Sequence, residues 1–527
     1  MRSIALALTV CLTATGTGAE TLTILHTNDF HSRIEPINKF NSGCAAEDND
    51  AGKCFGGSAR LVTAVRAARA ASNLSILVDG GDQFQGSLFY TRYKGQTAAE
   101  MMNAIGYDAM TVGNHEFDDG PEVLRAFMDR VEFPVLMSNA DVSGEPKLAN
   151  VLMPSTVIER GGEKIGLIGL TPQDTPDLAS PGPNIRFHDP VEAVAREVQR
   201  LEADGISRII VLSHSGFVVD QFVASRVNGI DVIVGGHSNT FLSNTSDRAA
   251  GPYPTWVTSP DGGRTAIVQA YAFGKYLGRL DVSFDAQGVV TAAVGEPILI
   301  DGKVTEDSSL KARISELAKP FVELRNKVIG STVSAIDGAK GNCRSGECAM
   351  GNLVAEAMLD RMKGQGVTIA IQNGGGLRAS IDAGDITMGE ILTVLPFQNA
   401  ISTFQLKGSD VVAALEGGVS GIEEGKGRFP QVAGLRYEFD PAIPPNTGRI
   451  TKVEVLKDDT WTAIDPEALY TIASNDFLRS GGDGYVTFAE NAINAYDYGP
   501  GLEEVVVDFL GKTQPYEPFL DGRISSR

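Results

Sequence analysis

Five short apolar runs, each closed by a polar motif rich in histidine, aspartate and asparagine, constrain the fold of this chain most. The runs cover residues 22–25, 74–78, 109–112, 209–212 and 232–234. A short apolar run that ends in turn-forming residues is typical of a buried strand in a parallel sheet. Because open α/β sheets build their sites beyond the C-terminal ends of the strands, the pattern predicts an α/β fold with one polar site at that edge.

The five motifs are Asp29-Phe30-His31, Gly81-Asp82-Gln83, Gly113-Asn114-His115-Glu116, Ser213-His214-Ser215 and Gly236-His237-Ser238-Asn239. Four of the six histidines of the chain lie in them. Imidazole, carboxylate and amide groups together suit Zn²⁺ or Mn²⁺, and one carboxylate shared by two ions would hold them about 3.5–4 Å apart. Each motif alone is also an ordinary turn, since Asp, Asn and Gly favour loops. Five of them at strand ends favour a two-metal hydrolase.

Four longer stretches resemble the 5′-nucleotidase family, and particularly its ecto-5′-nucleotidase branch. They are residues 22–33, 113–118, 235–241 and 269–278, and the similarity extends from about Thr21 to about Gly522. The resemblance implies a two-domain α/β protein. Its N-terminal part would be a four-layer α/β/β/α metallophosphoesterase domain, and its C-terminal part an α/β substrate-binding domain.

The resemblance also implies two metal sites that share Asp82. The first would consist of Asp29, His31, Asp82 and Asn239, and the second of Asp82, Asn114, His214 and His237. The two divalent cations would be zinc, with manganese or cobalt also suited to these ligands, and such ions lower the pKa of a water that can attack phosphate.

One histidine of the motifs is not a ligand by this resemblance. His115 would contact the phosphate or the leaving oxygen as electrophile or general acid, oriented by Asp118. Asp118 also fits the first turn of the following helix, where an acidic residue favours the helix dipole.

A second group of residues in the C-terminal half points to substrate binding. The glycines of residues 374–376 follow an apolar run at 367–371, which predicts another strand-end loop that a ligand can approach closely. The resemblance implies that Asn373, Arg344 and Arg378 hold the substrate, that Asp483 binds the ribose, and that Phe397 and Phe477 stack on the base. From the residues alone, core packing is the ordinary interpretation of either phenylalanine. Arg33 is a further candidate for substrate binding.

The length of 527 residues predicts two domains joined by a linker. We expect a catalytic domain at 20–302, a linker helix at 303–330 and a substrate-binding domain at 331–527. The linker has apolar residues at alternating spacings of four and three, which predicts a helix with one apolar stripe that Pro320 kinks or divides. The stripe consists of Leu310, Ile314, Leu317, Phe321, Leu324 and Val328. A hinge and a plain buried connection both fit it.

The N-terminus has the pattern of a secretory signal peptide, residues 1–19, with an apolar stretch and a small-residue end at Gly18-Ala19. We therefore expect export to the periplasm or the medium, where an even number of cysteines favours disulfides. Local pairs, Cys44 with Cys54 and Cys343 with Cys348, are the most plausible of three possible pairings. A four-cysteine zinc site is the competing interpretation.

Net charge and hydropathy limit the partners of the chain. A net charge of −21 argues against nucleic-acid polymers and anionic membranes, and leaves small nucleotides as partners. No interior stretch reaches the roughly 18–20 apolar residues of a spanning helix, and the C-terminal end lacks the tail of a GPI signal, so we expect no membrane anchor. The sequence leaves monomer and homodimer open.

These observations predict a metal-dependent 5′-nucleotidase that converts nucleoside 5′-monophosphates such as AMP to nucleoside and phosphate. A 2′,3′-cyclic-nucleotide phosphodiesterase with 3′-nucleotidase activity, or a nucleotide-sugar pyrophosphatase, would use the same site. A thiosulfohydrolase and a non-catalytic nucleotide-binding protein are further alternatives. Retention of the candidate base-stacking and arginine residues favours a nucleotide.

Overall fold

A computed structural model describes residues 20–39, 41, 44, 46–397, 399–497 and 499–527. The predicted signal peptide lies outside the described residues. In the described part of the chain, no helix has the length and apolar character needed to cross a membrane.

The N-terminal half contains two large sheets. The first has seven strands, in the order Val290–Gly295, Tyr276–Phe284, Glu20–Thr27, Ser75–Asp79, Ala109–Thr111 and Val135–Leu136, with Ile298–Leu299 paired to Tyr276–Phe284. The second has six, in the order Thr255–Thr258, Arg264–Val268, Val232–Val234, Arg208–Ser213, Glu163–Leu170 and Ser155–Arg160. All five predicted apolar runs are strands, and within each sheet the strands that carry motifs run parallel to their neighbours along the chain.

Alternation along each strand sorts its side chains into two cores. In the first sheet Ile24 and Ile76 face the second sheet, whereas Leu25 and Leu77 face helices. In the second sheet Ile210 joins the core between the sheets and its neighbour Val211 joins the outer one. Because successive side chains of a strand point to opposite faces, each fully apolar run needs cover on both sides. The result is the predicted four-layer α/β/β/α arrangement.

Helices form the outer layers of this half. Those packed on the first sheet are Ser58–Ala70, Leu88–Tyr93, Gly95–Ile105 and Gly120–Met128. Pro190–Ala203 and Phe217–Ala224 cover the second sheet. Short helices at Ala46–Asp50 and Thr175–Leu178, and a two-stranded sheet of Ala140–Asp141 and Arg186–Phe187, complete this half.

The linker contains two helices, Ser308–Ala318 and Phe321–Arg325, with Pro320 between them. The predicted apolar stripe packs on the N-terminal core through Leu310, Ile314, Leu317 and Phe321. The helical prediction is wrong beyond Arg325, because Val328–Thr332 is a strand that pairs with Gly384–Thr387. A partner strand from the C-terminal half thus overrides the helical spacing that Val328 continues.

The C-terminal half is built on a five-stranded sheet in the order Pro430–Ala433, Ile369–Asn373, Leu469–Asn475, Ile401–Lys407 and Ile493–Tyr496. A four-stranded sheet has the order Thr460–Ala463, Ile450–Lys457, Leu435–Phe439 and Ile524–Ser526. The helices are Lys340–Cys343, Ala349–Met362, Met388–Val394, Gly408–Gly418, Asp476–Arg479, Val486–Glu490 and Leu502–Lys512. Two apolar cores cover the two faces of the five-stranded sheet.

Both local disulfides are present, Cys44–Cys54 and Cys343–Cys348. The second supports the loop that carries Arg344 and packs tightly on the glycine-rich loop. A Cβ at Gly374 would lie 1.9 Å from the carbonyl oxygen of Cys343, so only glycine allows this approach.

Candidate active site

The five motifs meet at one edge of the two facing sheets. The backbone amides of Asp29 and His31 donate to the carbonyls of Gly81 and Asp82 at 2.9 and 3.0 Å, which joins the first two motifs. The amide of His237 donates to the Asp29 carboxylate at 3.0 Å. This bond joins a loop of the second sheet to a loop of the first. Loops that sequence reasoning placed only at strand ends are therefore bonded to one another.

The backbone of the candidate ligands is unusual. Five of the seven have positive φ angles between 47° and 68°: Asp29, His31, Asp82, His237 and Asn239. Each non-glycine residue in a sparsely populated region costs on the order of 1–3 kcal/mol, and such residues cluster at functional sites. These backbone conformations lower the stability of the fold, and they orient the five side chains towards the site.

Glycines leave the space that the ligands occupy. A Cβ at Gly113 would lie 2.1 Å from Oδ1 of Asp82, and one at Gly236 would lie 2.8 Å from Nδ1 of His214. Both approaches are closer than a side chain permits. The glycines that precede two of the motif residues are therefore required for packing around Asp82 and His214.

Asp82 lies at the centre of the candidate ligands. Its Oδ2 is 2.9 Å from Nε2 of His214 and 4.0 Å from Nε2 of His31. Asp29 Oδ1 is 3.8 Å from the same atom of His214 and 4.0 Å from that of His31. Ligand atoms of Asp82, His214 and His237 lie within 4.8 Å of one another, as do those of Asp82, His31 and His115. Two groups that could hold metal ions therefore share one carboxylate.

Burial and neighbouring charges set the protonation of these groups. Burial lowers the pKa of His31 and His237 to about 3, so both imidazoles are neutral at pH 7, as metal ligands must be. Burial would also lower the pKa of His214, but Asp82 and Asp29 raise it to about 10. Attraction to His214 outweighs the burial of Asp82 and holds the pKa of that carboxyl far below its ordinary value. A bound cation would take the place of the proton that His214 holds.

Asn239 provides a test of whether a cation fits. Its amide oxygen faces the Asp29 carboxylate, at 3.0 Å from Oδ1 and 3.3 Å from Oδ2. Oxygen atoms this close form no hydrogen bond with each other, and only a turned amide would donate its nitrogen. In either orientation the Asn239 amide lies 3.0–3.3 Å from the Asp29 carboxylate. Two carboxylates, an imidazole and an amide form a donor set that suits a divalent ion.

His115 and Asp118 form a hydrogen-bonded pair beside this centre. Nδ1 of His115 is 2.7 Å from Oδ2 of Asp118. Burial would lower the pKa of His115, but Asp118 and Asp82 raise it to about 10. Within the described part of the chain, Nε2 is buried and has no hydrogen-bond partner. The imidazole is thus oriented by Asp118 and presents a polar atom to the cavity.

Glu116 joins two of the metal-site loops, a role that sequence reasoning missed. Its Oε1 accepts from the backbone amides of Gln83 and Phe84 at 2.8 and 3.2 Å. Its Oε2 accepts from those of Asp82 and Gly113 at 2.9 and 2.6 Å. The carboxylate is fully buried. Its place directly after His115 is the only sequence signal, and it does not reveal these bonds.

The predicted substrate residues of the C-terminal half line one cavity of about 240 Å³. Its walls include Arg344, Asn373, Arg378, Phe397, Phe477 and Asp483. Asn373 donates to Asp483 at 2.8 Å, and the Arg378 guanidinium lies 5.6 Å from the centre of the Phe397 ring. Cation–π contact and the hydrogen bond place aromatic faces and polar groups side by side. This combination suits a nucleoside.

A second cavity, of about 360 Å³, connects the two halves of the protein. It is lined by His31, His115 and Asn239 from one half and by Phe397 and Phe477 from the other. Because the same two phenylalanines line the smaller cavity, a ligand there can extend to the metal-site residues.

Arg33 lies in the wall of this cleft. It contacts the Phe273 ring and the carbonyl of Gly86, and faces Glu503 and Asp476 of the C-terminal half. Burial lowers its pKa to about 10, which leaves it charged at pH 7. The structure therefore places Arg33 among interdomain contacts. Glu503 and Asp476 were not predicted from sequence as neighbours of Arg33, because they lie in the other half of the chain.

Comparison with known proteins divides the chain into the same N-terminal and C-terminal halves. Residues 22–241 match the calcineurin-like phosphoesterase family, and residues 328–490 match the 5′-nucleotidase C-terminal domain. The bovine 5′-nucleotidase is 39% identical over 524 residues, which cover 95% of this chain and 90% of that protein.

Two solved structures also match along nearly the whole chain. A 5′-nucleotidase precursor from Thermus thermophilus is 39% identical with a TM-score of 0.61, and 96% of this chain and 99% of that chain are covered. The NAD nucleotidase of Haemophilus influenzae is 27% identical with a TM-score of 0.80, covering 97% and 99%. The chain therefore belongs to the 5′-nucleotidase family.

Proposed function

We propose that this enzyme hydrolyses nucleoside 5′-monophosphates such as AMP, with residues 20–302 performing the chemistry and residues 331–527 holding the nucleoside. The observation that carries the proposal is the pair of adjoining cavities. One is lined by aromatic and arginine side chains, and the other joins it to a carboxylate-centred group of potential ligands. A nucleoside in the first cavity directs its 5′-phosphate towards the second.

We further propose two divalent cations as cofactors, with zinc the first choice. Asp29, His31, Asp82 and Asn239 would hold one, and Asp82, Asn114, His214 and His237 the other. Bound cations of this kind lower the pKa of water and neutralise charge on a phosphoryl group. Neutral His31 and His237, and the clustering of the ligand atoms of Asp82, His214 and His237, support this assignment.

The roles of the remaining residues follow from their surroundings. His115 has its Nδ1 fixed by Asp118, so its Nε2 can donate a proton to the 5′-oxygen as the ester bond breaks. Phe397 and Phe477 would hold the base between apolar faces, and Asp483, supported by Asn373, would accept from ribose hydroxyls. Arg344 and Arg378 would keep the cavity positive enough for an anionic substrate.

The test measures the products that the purified protein forms from each of five substrates: 5′-AMP, 3′-AMP, 2′,3′-cyclic AMP, UDP-glucose and NAD. Each is assayed after chelation and after Zn²⁺ or Mn²⁺ is restored, with chromatography of products for the substrates whose first cleavage releases no phosphate. We expect chelator-sensitive activity that is greatest on 5′-AMP. A maximum on another member of the panel would reassign the substrate, and no activity with metal restored would refute the proposal.

We also propose that the protein is exported. The signal-peptide pattern at residues 1–19 supports this, as do two disulfides, which persist in oxidising compartments. Mass spectrometry of the protein from cell fractions would find a mature chain that begins near Glu20. An intact Met1 in the cytoplasmic fraction would contradict export.

A further inference from the structure

Tyr496 reaches from the C-terminal half to the metal-site residues of the N-terminal half. Its ring centre lies 6.4 Å from that of His237, with the two planes 39° apart. Its hydroxyl group lies beside the side chain of Asn114. His237 and Asn114 are both proposed ligands of the second metal site, so Tyr496 contacts two side chains of that site.

The backbone holds Tyr496 firmly in this place. It ends the edge strand Ile493–Tyr496, where Tyr496 is paired with Thr403 of the neighbouring strand. Asp497, the next residue, forms an ion pair with Arg479 at 3.2 Å. The amide of Gly499 donates to the carbonyl of Ile401 at 2.8 Å. A residue whose backbone is held on both sides loses little further backbone freedom when its side chain binds a ligand, which favours preorganisation.

The hydroxyl of Tyr496 is a neutral donor. A tyrosine hydroxyl has an ordinary pKa of about 10 and keeps its proton at neutral pH. A neutral O–H can donate to phosphoryl oxygens without a change in its own charge.

We propose that Tyr496 donates a hydrogen bond to a non-bridging oxygen of the phosphoryl group and stabilises the charge that develops there during hydrolysis. No bond to Tyr496 forms or breaks, and its proton stays on the hydroxyl oxygen. Because the residue belongs to the nucleoside-binding half, this contact exists only when the two halves are docked as they are in this structure. Tyr496 thereby makes hydrolysis of the phosphate ester depend on contact between the two halves. The inference rests on the proposed function.

The test compares Tyr496→Phe with the wild type and with Tyr470→Phe. The Phe variant keeps the ring against His237 and removes only the hydroxyl. Tyr470 is in the same sheet, and its hydroxyl accepts from the backbone amide of Asp465 on a surface loop, so it controls for loss of a tyrosine hydroxyl. A donor aimed at developing charge is worth about 10²–10³ in kcat. We expect kcat on 5′-AMP to fall at least tenfold in Tyr496→Phe, with KM changed less than threefold, and to be unchanged in Tyr470→Phe.

Two binding measurements separate this role from a structural one. Adenosine affinity and metal content should be the same in Tyr496→Phe and the wild type. Calorimetric titration of the metal-loaded protein with inorganic phosphate should show at least threefold weaker binding in the variant. Tyr496→Ala, which also removes the ring, should lose no less activity than Tyr496→Phe.

The outcomes are distinct for the two proposals. A Tyr496→Phe enzyme with kcat within twofold of the wild type and unchanged phosphate affinity would overturn the role of Tyr496 while the proposed function stands. A wild type that is inactive on 5′-AMP would overturn the proposed function. Phosphate titration would then still decide whether Tyr496 contacts a phosphoryl group at this centre.

Discussion

Replacing Glu116 with glutamine should loosen the loop that carries Asp82. Each carboxylate oxygen of Glu116 accepts two backbone amides, so an NH₂ group in either position leaves two buried donors facing another donor. A hydrogen bond to a charged group contributes about 1.5–3 kcal/mol, so the loss of two amounts to about 3–6 kcal/mol of local stability. At 1.4 kcal/mol per factor of ten, this corresponds to about 10²–10⁴-fold faster amide exchange.

Native-state hydrogen exchange read by mass spectrometry measures this effect directly, through a peptide that contains residues 82–84. The control is Glu122→Gln in the same half of the protein, where the side chain is 78% exposed and pairs with Lys147 at 3.2 Å. An exposed ion pair of this kind contributes about 0–1 kcal/mol, and exchange at residues 82–84 should not change. Metal affinity should also fall about 10–100-fold in Glu116→Gln, as for other groups that orient ligands. Exchange within threefold of the wild type would refute the anchoring role of Glu116.

Three further predictions test the site. His115→Ala should lower kcat on 5′-AMP by about 10²–10⁴-fold, the usual contribution of a positioned acid, while metal analysis still finds two ions per chain; a variant that loses metal would make His115 a ligand instead. Phe477→Ala should weaken adenosine binding by about 1–3 kcal/mol in calorimetry, because one stacking face is lost, and unchanged affinity would assign Phe477 to the core. Burial raises the pKa of Glu503 to about 7, and its Oε2 has no hydrogen bond among the described residues. Since the folded state therefore favours the protonated acid, Glu503 lowers stability as the pH rises from about 4.5 to about 7, and Glu503→Gln should raise the melting temperature at pH 8 but not at pH 4. An equal shift at both pH values would show that charge is not the cause.

The sequence by itself determined the strands, the site edge and the candidate ligands. Its apolar runs are short and bounded by turn residues. Because this pattern is local, it can be recognised without knowing the partners of each strand. Because parallel strands end at the same edge, the motifs could be placed together before any contact was known. The sequence also favoured the two local disulfides over the other pairings, since their cysteines are only five and ten residues apart.

Tertiary structure decided what depends on partners distant in the chain. The linker pattern continued to Val328, yet pairing with Gly384–Thr387 made that residue part of a strand. The motif that contains Glu116 does not reveal its role, and no motif contains Tyr496. The contacts of Glu116 are mainly with backbone amides 32–34 residues away, and Tyr496 contacts a histidine in the other half of the protein. Hydrogen bonds and ring contacts of this kind are set by how the loops and domains pack, and sequence spacing contains no information about that packing.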